Sequence, residues 1–174
     1  EIDGEIGRVN LYEEITYLWG SEKIPMPGSY QGNLVKNYFM NVLGASYRFD
    51  NDLQLTTEHL FNGVGDPDNL DASDIRYKNA ISTSLNNHLS AILLSYEFTP
   101  LLIGRYDTKY AWADSSNQHN FSFTRSITEN TDLVIGGQIN IGKKPNGTTW
   151  QNPNIQSEFG RLSNIYHIEL KHYF

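Results

Sequence analysis

Three charged residues at alternate positions, Arg105, Asp107 and Lys109, are the strongest chemical signal in this sequence. Residues two apart on an extended strand share a face, so these three stand in one row of alternating sign. Such a row either pairs into salt bridges inside a filled polar core or lines a watered path with a transverse field. The same reading covers Lys36, Arg48, Glu58, Glu97, Glu169 and Lys171, each on the polar side of its own alternating segment. A second candidate is the acidic loop of Asp66, Asp68, Asp71 and Asp74. It lacks the glycine at position six and the glutamate at position twelve of an EF-hand loop, which makes it a weak calcium candidate beside a plain solvated loop. His88, His119, His167 and His172 show no pair at ligand spacing on one face.

The elements that must position these residues are strands. Period-two alternation recurs along the chain, and a period of 3.6 is hard to find. Leu102, Gly104, Tyr106, Tyr110 and Trp112 oppose the charged row. Leu133, Ile135, Gly137, Ile139 and Ile141 oppose Gln138 and Asn140, and Tyr166, Ile168, Leu170 and Phe174 oppose His167, Glu169 and Lys171. Eight strands are expected: 9–19, 34–49, 53–62, 88–98, 102–112, 118–128, 133–142 and a final one ending at Phe174. The first is the weakest, because Glu13 falls on its apolar face, and Arg125 does the same in the sixth. A short helix near 74–85 is also expected, since Ile75, Ala80, Ile81 and Leu85 do not alternate.

The connections are sorted by length. Asp50–Asp52, Thr99–Pro100 and Glu129–Asp132 are tight, whereas 20–32, 63–87 and 143–160 are long. Tight turns on one side and long loops on the other characterise transmembrane β-barrels. With eight strands, both ends of the chain would lie on the tight-turn side.

Composition narrows the classes. The chain has 174 residues, enough for one domain, and 13 basic against 20 acidic residues give a net charge of -7. That charge, with no Lys/Arg cluster, argues against nucleic acid as a partner. There is no cysteine, hence neither disulfides nor a thiolate metal site. No run approaches the roughly 18 apolar residues of a transmembrane helix. The first residues have no basic or apolar region of a signal peptide, which reads as a mature chain or a fragment. Aromatic residues make up 13%, with Tyr the commonest. Phe49, Phe98 and Phe174 lie at tight-turn ends, and Trp19, Tyr110 and Trp112 toward long-loop ends, as two membrane-interface girdles would require.

The ending Ile165-Tyr166-His167-Ile168-Glu169-Leu170-Lys171-His172-Tyr173-Phe174 resembles the C-terminal strand of Gram-negative outer-membrane proteins. In that family a terminal aromatic with apolar residues at alternate positions is read by the barrel assembly machinery. The resemblance implies that Tyr166, Ile168, Leu170 and Phe174 form this assembly signal; His172 and Tyr173 depart from the pattern. The stretch Leu89–Gly142 is similar to larger porin-type barrels, whose strands are joined by turns of the Tyr-x-Phe-Thr-Pro kind. His59-Leu60-Phe61-Asn62-Gly63 resembles the His-x-Ser-Asn-Gly pattern of outer-membrane phospholipases, but Phe61 stands where the nucleophile belongs, and a base without a nucleophile performs no acyl transfer.

The expectation is therefore an all-β, antiparallel up-and-down transmembrane barrel, of about eight strands or part of a larger barrel, in a bacterial outer membrane. Its function would be passive diffusion of small polar solutes, without enzymatic activity or cofactor. Its partners would be outer-membrane lipid and lipopolysaccharide, the assembly machinery, and possibly other chains completing the barrel. The alternative is a small closed barrel whose loops bind a partner. A soluble sandwich would use the same alternation to bury a core.

Overall fold

A computed structural model describes residues 2–6, 8–19, 37–63, 65, 84–146 and 154–174. Lys36 and the acidic residues Asp66, Asp68, Asp71 and Asp74 lie outside them, as does all but the end of the expected helix.

The described residues form one antiparallel sheet of nine strands in chain order and contain no helix. The strands are β1 (Ile2–Ile6), β2 (Val9–Trp19), β3 (Asn37–Arg48), β4 (Gln54–Asn62), β5 (His88–Thr99), β6 (Leu102–Ala111), β7 (Ser116–Thr128), β8 (Thr131–Ile141) and β9 (Ile165–His172). All eight expected strands are present. The ninth, β1, precedes them and pairs with β2 through Gly4–Leu11 and Ile6–Val9. It was missed because a short Gly- and Glu-containing segment carries little alternation signal. Its presence also corrects the placement of the chain's start: with nine strands, β1 and β9 run in the same direction. Ile2 then stands at the long-loop end and Phe174 at the turn end.

Register divides every strand into the expected faces. On the polar face, Tyr12, Gly44, Glu58, Ala91, Lys109, Gln118 and Asn140 follow one another across seven strands as direct partners. The apolar face runs through pairs such as Leu133–Leu170 and Ile135–Ile168. Glu13 and Arg125 do sit on that apolar face, so the expected parity holds for both. Glu13 accepts a hydrogen bond from Asn41 Nδ2 at 2.8 Å. Arg125 lies opposite Leu102 and Leu133 near the turn end, where its long stem can carry the charge outward.

The turns explain where the ladder reverses. Asp52 takes a positive φ of 65° at the β3–β4 turn, a conformation an Asp side chain tolerates, and Asn51 Oδ1 accepts from Leu53 N–H. Register shifts at Glu97/Thr99 and Ser126/Thr128 mark bulges at two further turn ends.

Where the apolar surface goes is the decisive feature. The large hydrophobic side chains of the apolar face remain uncovered: Ile15, Leu43, Ile92, Phe123, Ile135, Ile141 and Ile168 are all exposed. Among the described residues the buried hydrophobics are few, Leu85, Ala111, Val134 and Phe159, and none of those residues forms a second layer on the sheet. A soluble sandwich hides that face; this sheet does not. Nor is the sheet closed: among the described residues β1 pairs only with β2 and β9 only with β8.

Candidate functional site

Alternation aims the charged side chains, and cross-strand pairing decides their neighbours. Arg48, Glu58, Glu97, Arg105, Asp107, Lys109, Glu169 and Lys171 all lie on the polar face. Their partners differ with height along the strands. At the turn end Arg48 is bound by Asp52 through Nε (3.1 Å) and Nη2 (2.8 Å), and Lys171 lies 3.5 Å from Glu169 of its own strand. Glu58 accepts from the Tyr12 hydroxyl. Outside the sheet proper, Arg8 in the β1–β2 turn pairs with Asp50 of the next turn; that carboxylate, and then Tyr47, raise the guanidinium pKa above its usual value.

The central row behaves differently. Asp107 accepts from Asn120 Nδ2 at 2.7 Å, and no ion pair joins it to Arg105 or Lys109 among the described residues. Asn120 and Gln138 continue the polar surface across β7 and β8, and Gln118 Nε2 donates to Asn140 Oδ1 at 3.1 Å. A concavity of about 280 Å³ opens here, lined chiefly by Leu93, Arg105, Asp107, Asn120, Ser122, Gln138, Ile165 and His167. Gly136 leaves room for the His167 ring at its edge, because a Cβ there would fall 2.7 Å from that ring. The arrangement offers solvated donors and acceptors of both signs, suited to weak contacts with polar solutes.

At the long-loop end, sequence reasoning missed a buried polar clasp. The connection between β8 and β9 folds back so that Glu158 and Phe159 are buried. Glu158 Oε2 accepts from Leu85 N–H (2.8 Å), Asn86 N–H (3.1 Å), Asn86 Nδ2 (3.1 Å) and Ser84 Oγ (3.2 Å). Asp114 Oδ2 accepts from Glu158 N–H at 2.7 Å and from Asn86 Nδ2 at 2.9 Å. Ser116 Oγ, on the polar face, accepts from Phe159 N–H. Three connections far apart in sequence are thus tied by two carboxylates. Glu158 stands in a polar stretch whose pattern gives no sign of burial.

The apolar face carries aromatic clusters near both ends of the strands. At the turn end Tyr47 meets Phe49, Tyr96 meets Phe98 and His172 meets Phe174, with ring centres 4.7, 4.9 and 4.8 Å apart. At the loop end Phe39 meets Phe61, Phe61 meets His88 and Tyr110 meets Trp112. Histidines meet there as well, which spacing along the chain did not reveal: His59 Nε2 lies 3.2 Å from His88 Nδ1 across the β4–β5 pair. Tyr166, Ile168 and Leu170 share this face and are exposed on β9, the edge strand among the described residues.

No known protein family, curated protein or solved structure matches this chain. Among the described residues no group of three or more His, Asp or Glu side chains is placed to hold a metal ion.

Proposed function

We propose that this chain is a wall of a porin-like β-barrel in a bacterial outer membrane, passing small polar solutes along its polar face by passive diffusion. The observation that carries the reading is the inverted distribution of polarity. The uncovered face is apolar, and the opposite face is charged, hydrogen-bonded and concave at its centre. In water that distribution is unfavourable over such an area; in a bilayer it is required.

The dimensions agree with a bilayer. Strands β2–β8 have 9–13 residues. About ten residues at ~3.3 Å each, tilted by about 40°, cover about 25 Å, the height of the apolar band of such barrels. The two aromatic clusters bound that band. The row Arg105–Asp107–Lys109, in which no ion pair forms among the described residues, favours a watered lumen over a filled core, since in an interior just filled by side chains these charges would have to neutralise one another.

Nine up-and-down strands cannot close on themselves by antiparallel pairing, because β1 and β9 are parallel. Closure by antiparallel pairing throughout therefore needs an odd number of strands beyond the nine among the described residues, from the same protein or another chain. In this reading Tyr166, Ile168, Leu170 and Phe174 face lipid on the closing strand and serve as the assembly signal, and lipopolysaccharide borders the long-loop end.

The clasp at Glu158 favours a second reading, a barrel capped by its own loops. Conductance in planar bilayers separates the two. The full-length protein inserted as a folded barrel should give discrete open steps; insertion without current would leave the capped barrel standing. A β-rich protein that stays monomeric in water without detergent would sink both.

A further inference from the structure

On the apolar face near the loop end, a serine and two histidines from neighbouring strands form one hydrogen-bonded chain. His59 of β4 and Ser90 of β5 are direct cross-strand partners. His59 Nδ1 lies 2.9 Å from Ser90 Oγ, and His59 Nε2 lies 3.2 Å from His88 Nδ1. Trp112 Nε1–H donates to the same Ser90 Oγ at 2.9 Å.

An indole N–H can only donate, so Ser90 Oγ accepts from Trp112 and keeps its own proton free to donate. In the tautomer with His59 Nδ1 unprotonated, Ser90 Oγ donates to Nδ1 and His59 Nε2–H donates to His88 Nδ1. It is the arrangement that nucleophilic acyl transfer requires: hydroxyl, base within hydrogen-bond reach, and a third group holding the base. The nucleophile that the sequence around His59 lacks is supplied by the adjoining strand.

We propose that Ser90 and His59 are the nucleophile and general base of an esterase site, with His88 a positioning residue, acting on acyl esters of amphipathic lipids. The substrate class follows from the setting. The chain lies among Leu43, Phe61, Ile92 and Tyr110 on the uncovered apolar face, where an acyl chain can lie beside it. Only this placement borrows from the membrane reading; the chemistry does not need a channel.

In the first half-reaction Ser90 Oγ bonds to the acyl carbon and its proton passes to His59 Nδ1. The alkoxide then leaves with that proton as the free alcohol. In the second, His59 takes a proton from water, whose oxygen attacks the acyl-serine; the fatty acid departs and the proton returns to Ser90.

The experiment uses the full chain folded in detergent micelles, with a fluorophosphonate probe and p-nitrophenyl butyrate. Wild type should be phosphonylated at Ser90, located by peptide mass spectrometry, and should hydrolyse the ester. Ser90→Ala and His59→Phe should each lower kcat at least ~100-fold, the scale of a lost nucleophile or base. His88→Phe should lower kcat about tenfold with KM unmoved, and His88→Gln should restore most of it, since an amide oxygen can accept from His59 Nε2. Labelling in the wild type needs no variant to fold, so absence of a Ser90 adduct overturns the proposal, as does an undiminished rate in Ser90→Ala. Hydrolysis by a barrel that carries no current would leave this site intact and refute only the channel.

Discussion

Removing the carboxylate of Glu158 should release the loop-end clasp without loosening the sheet. The magnitude follows from its four donors. In Glu158→Ala, Asn86 N–H retains Ser84 Oγ at 2.9 Å and the Asn86 side chain retains Asp114, but Leu85 N–H loses its acceptor. One orphaned buried donor costs about 1–3 kcal/mol, and the lost charge-assisted bonds add a comparable amount, so about 3 kcal/mol is expected locally. That corresponds to roughly 100-fold faster opening, because each 1.4 kcal/mol is about tenfold. Hydrogen exchange of the folded protein in micelles, followed by mass spectrometry, reads the effect. Peptides covering 84–87 and 154–162 should lose protection by about two orders of magnitude, while β6 and β7 stay unchanged. Glu158→Gln, which keeps one oxygen, should show a smaller loss. If a folded Glu158→Ala protein protects both segments as wild type does, the clasp does not hold them and the reasoning fails.

Gly160→Ala should loosen the same segment by a different route, since its Cβ would fall 2.3 Å from Lys143 O, and the same exchange measurement reads it. If the polar face lines a lumen, Arg105→Gln with Lys109→Gln should move the reversal potential toward cation preference in a salt gradient, and an unmoved potential would count against that row lining the path. Arg8→Ala should leave the melting temperature unchanged, because both partners of the Arg8–Asp50 pair are mostly exposed. The sign of the Arg8 shift agrees. Its folded pKa is raised, so whatever the pair contributes is fully present below the ordinary guanidinium value and is lost only at higher pH; titration across neutral and mildly alkaline pH should show no step from this group.

Much of the sheet was legible residue by residue. Arg105, Asp107 and Lys109 had to share a face once their segment was extended, and Leu133, Ile135 and Ile141 had to share the other, because side-chain direction alternates with period two whatever the partner strand. Glu13 and Arg125 fall on the apolar face in the structure as their spacing requires. Glu13 is matched by Asn41 from the neighbouring strand, a compensation that one strand's pattern cannot contain. β1 escaped notice because five residues with a central Gly4 are too few to set a pattern, and only pairing with β2 identifies them as a strand.

What the sequence determined by itself was therefore the two-faced strand, the sorted connections and the absence of any span long enough for a membrane helix. These are local properties, fixed by the types of residue at neighbouring positions. Only the tertiary structure decided which charges meet. Arg48 finds Asp52 while Asp107 is held by Asn120 instead of by Arg105 or Lys109, and Glu158 is drawn to backbone amides more than 70 positions away. Only register placed Ser90 against His59, 31 positions apart in the chain. The physical reason is the same throughout: alternation sets where a side chain points, but strand order and register set what it touches. The open edges of β1 and β9 belong to the second kind, since whether a sheet closes depends on the number of strands and their sense.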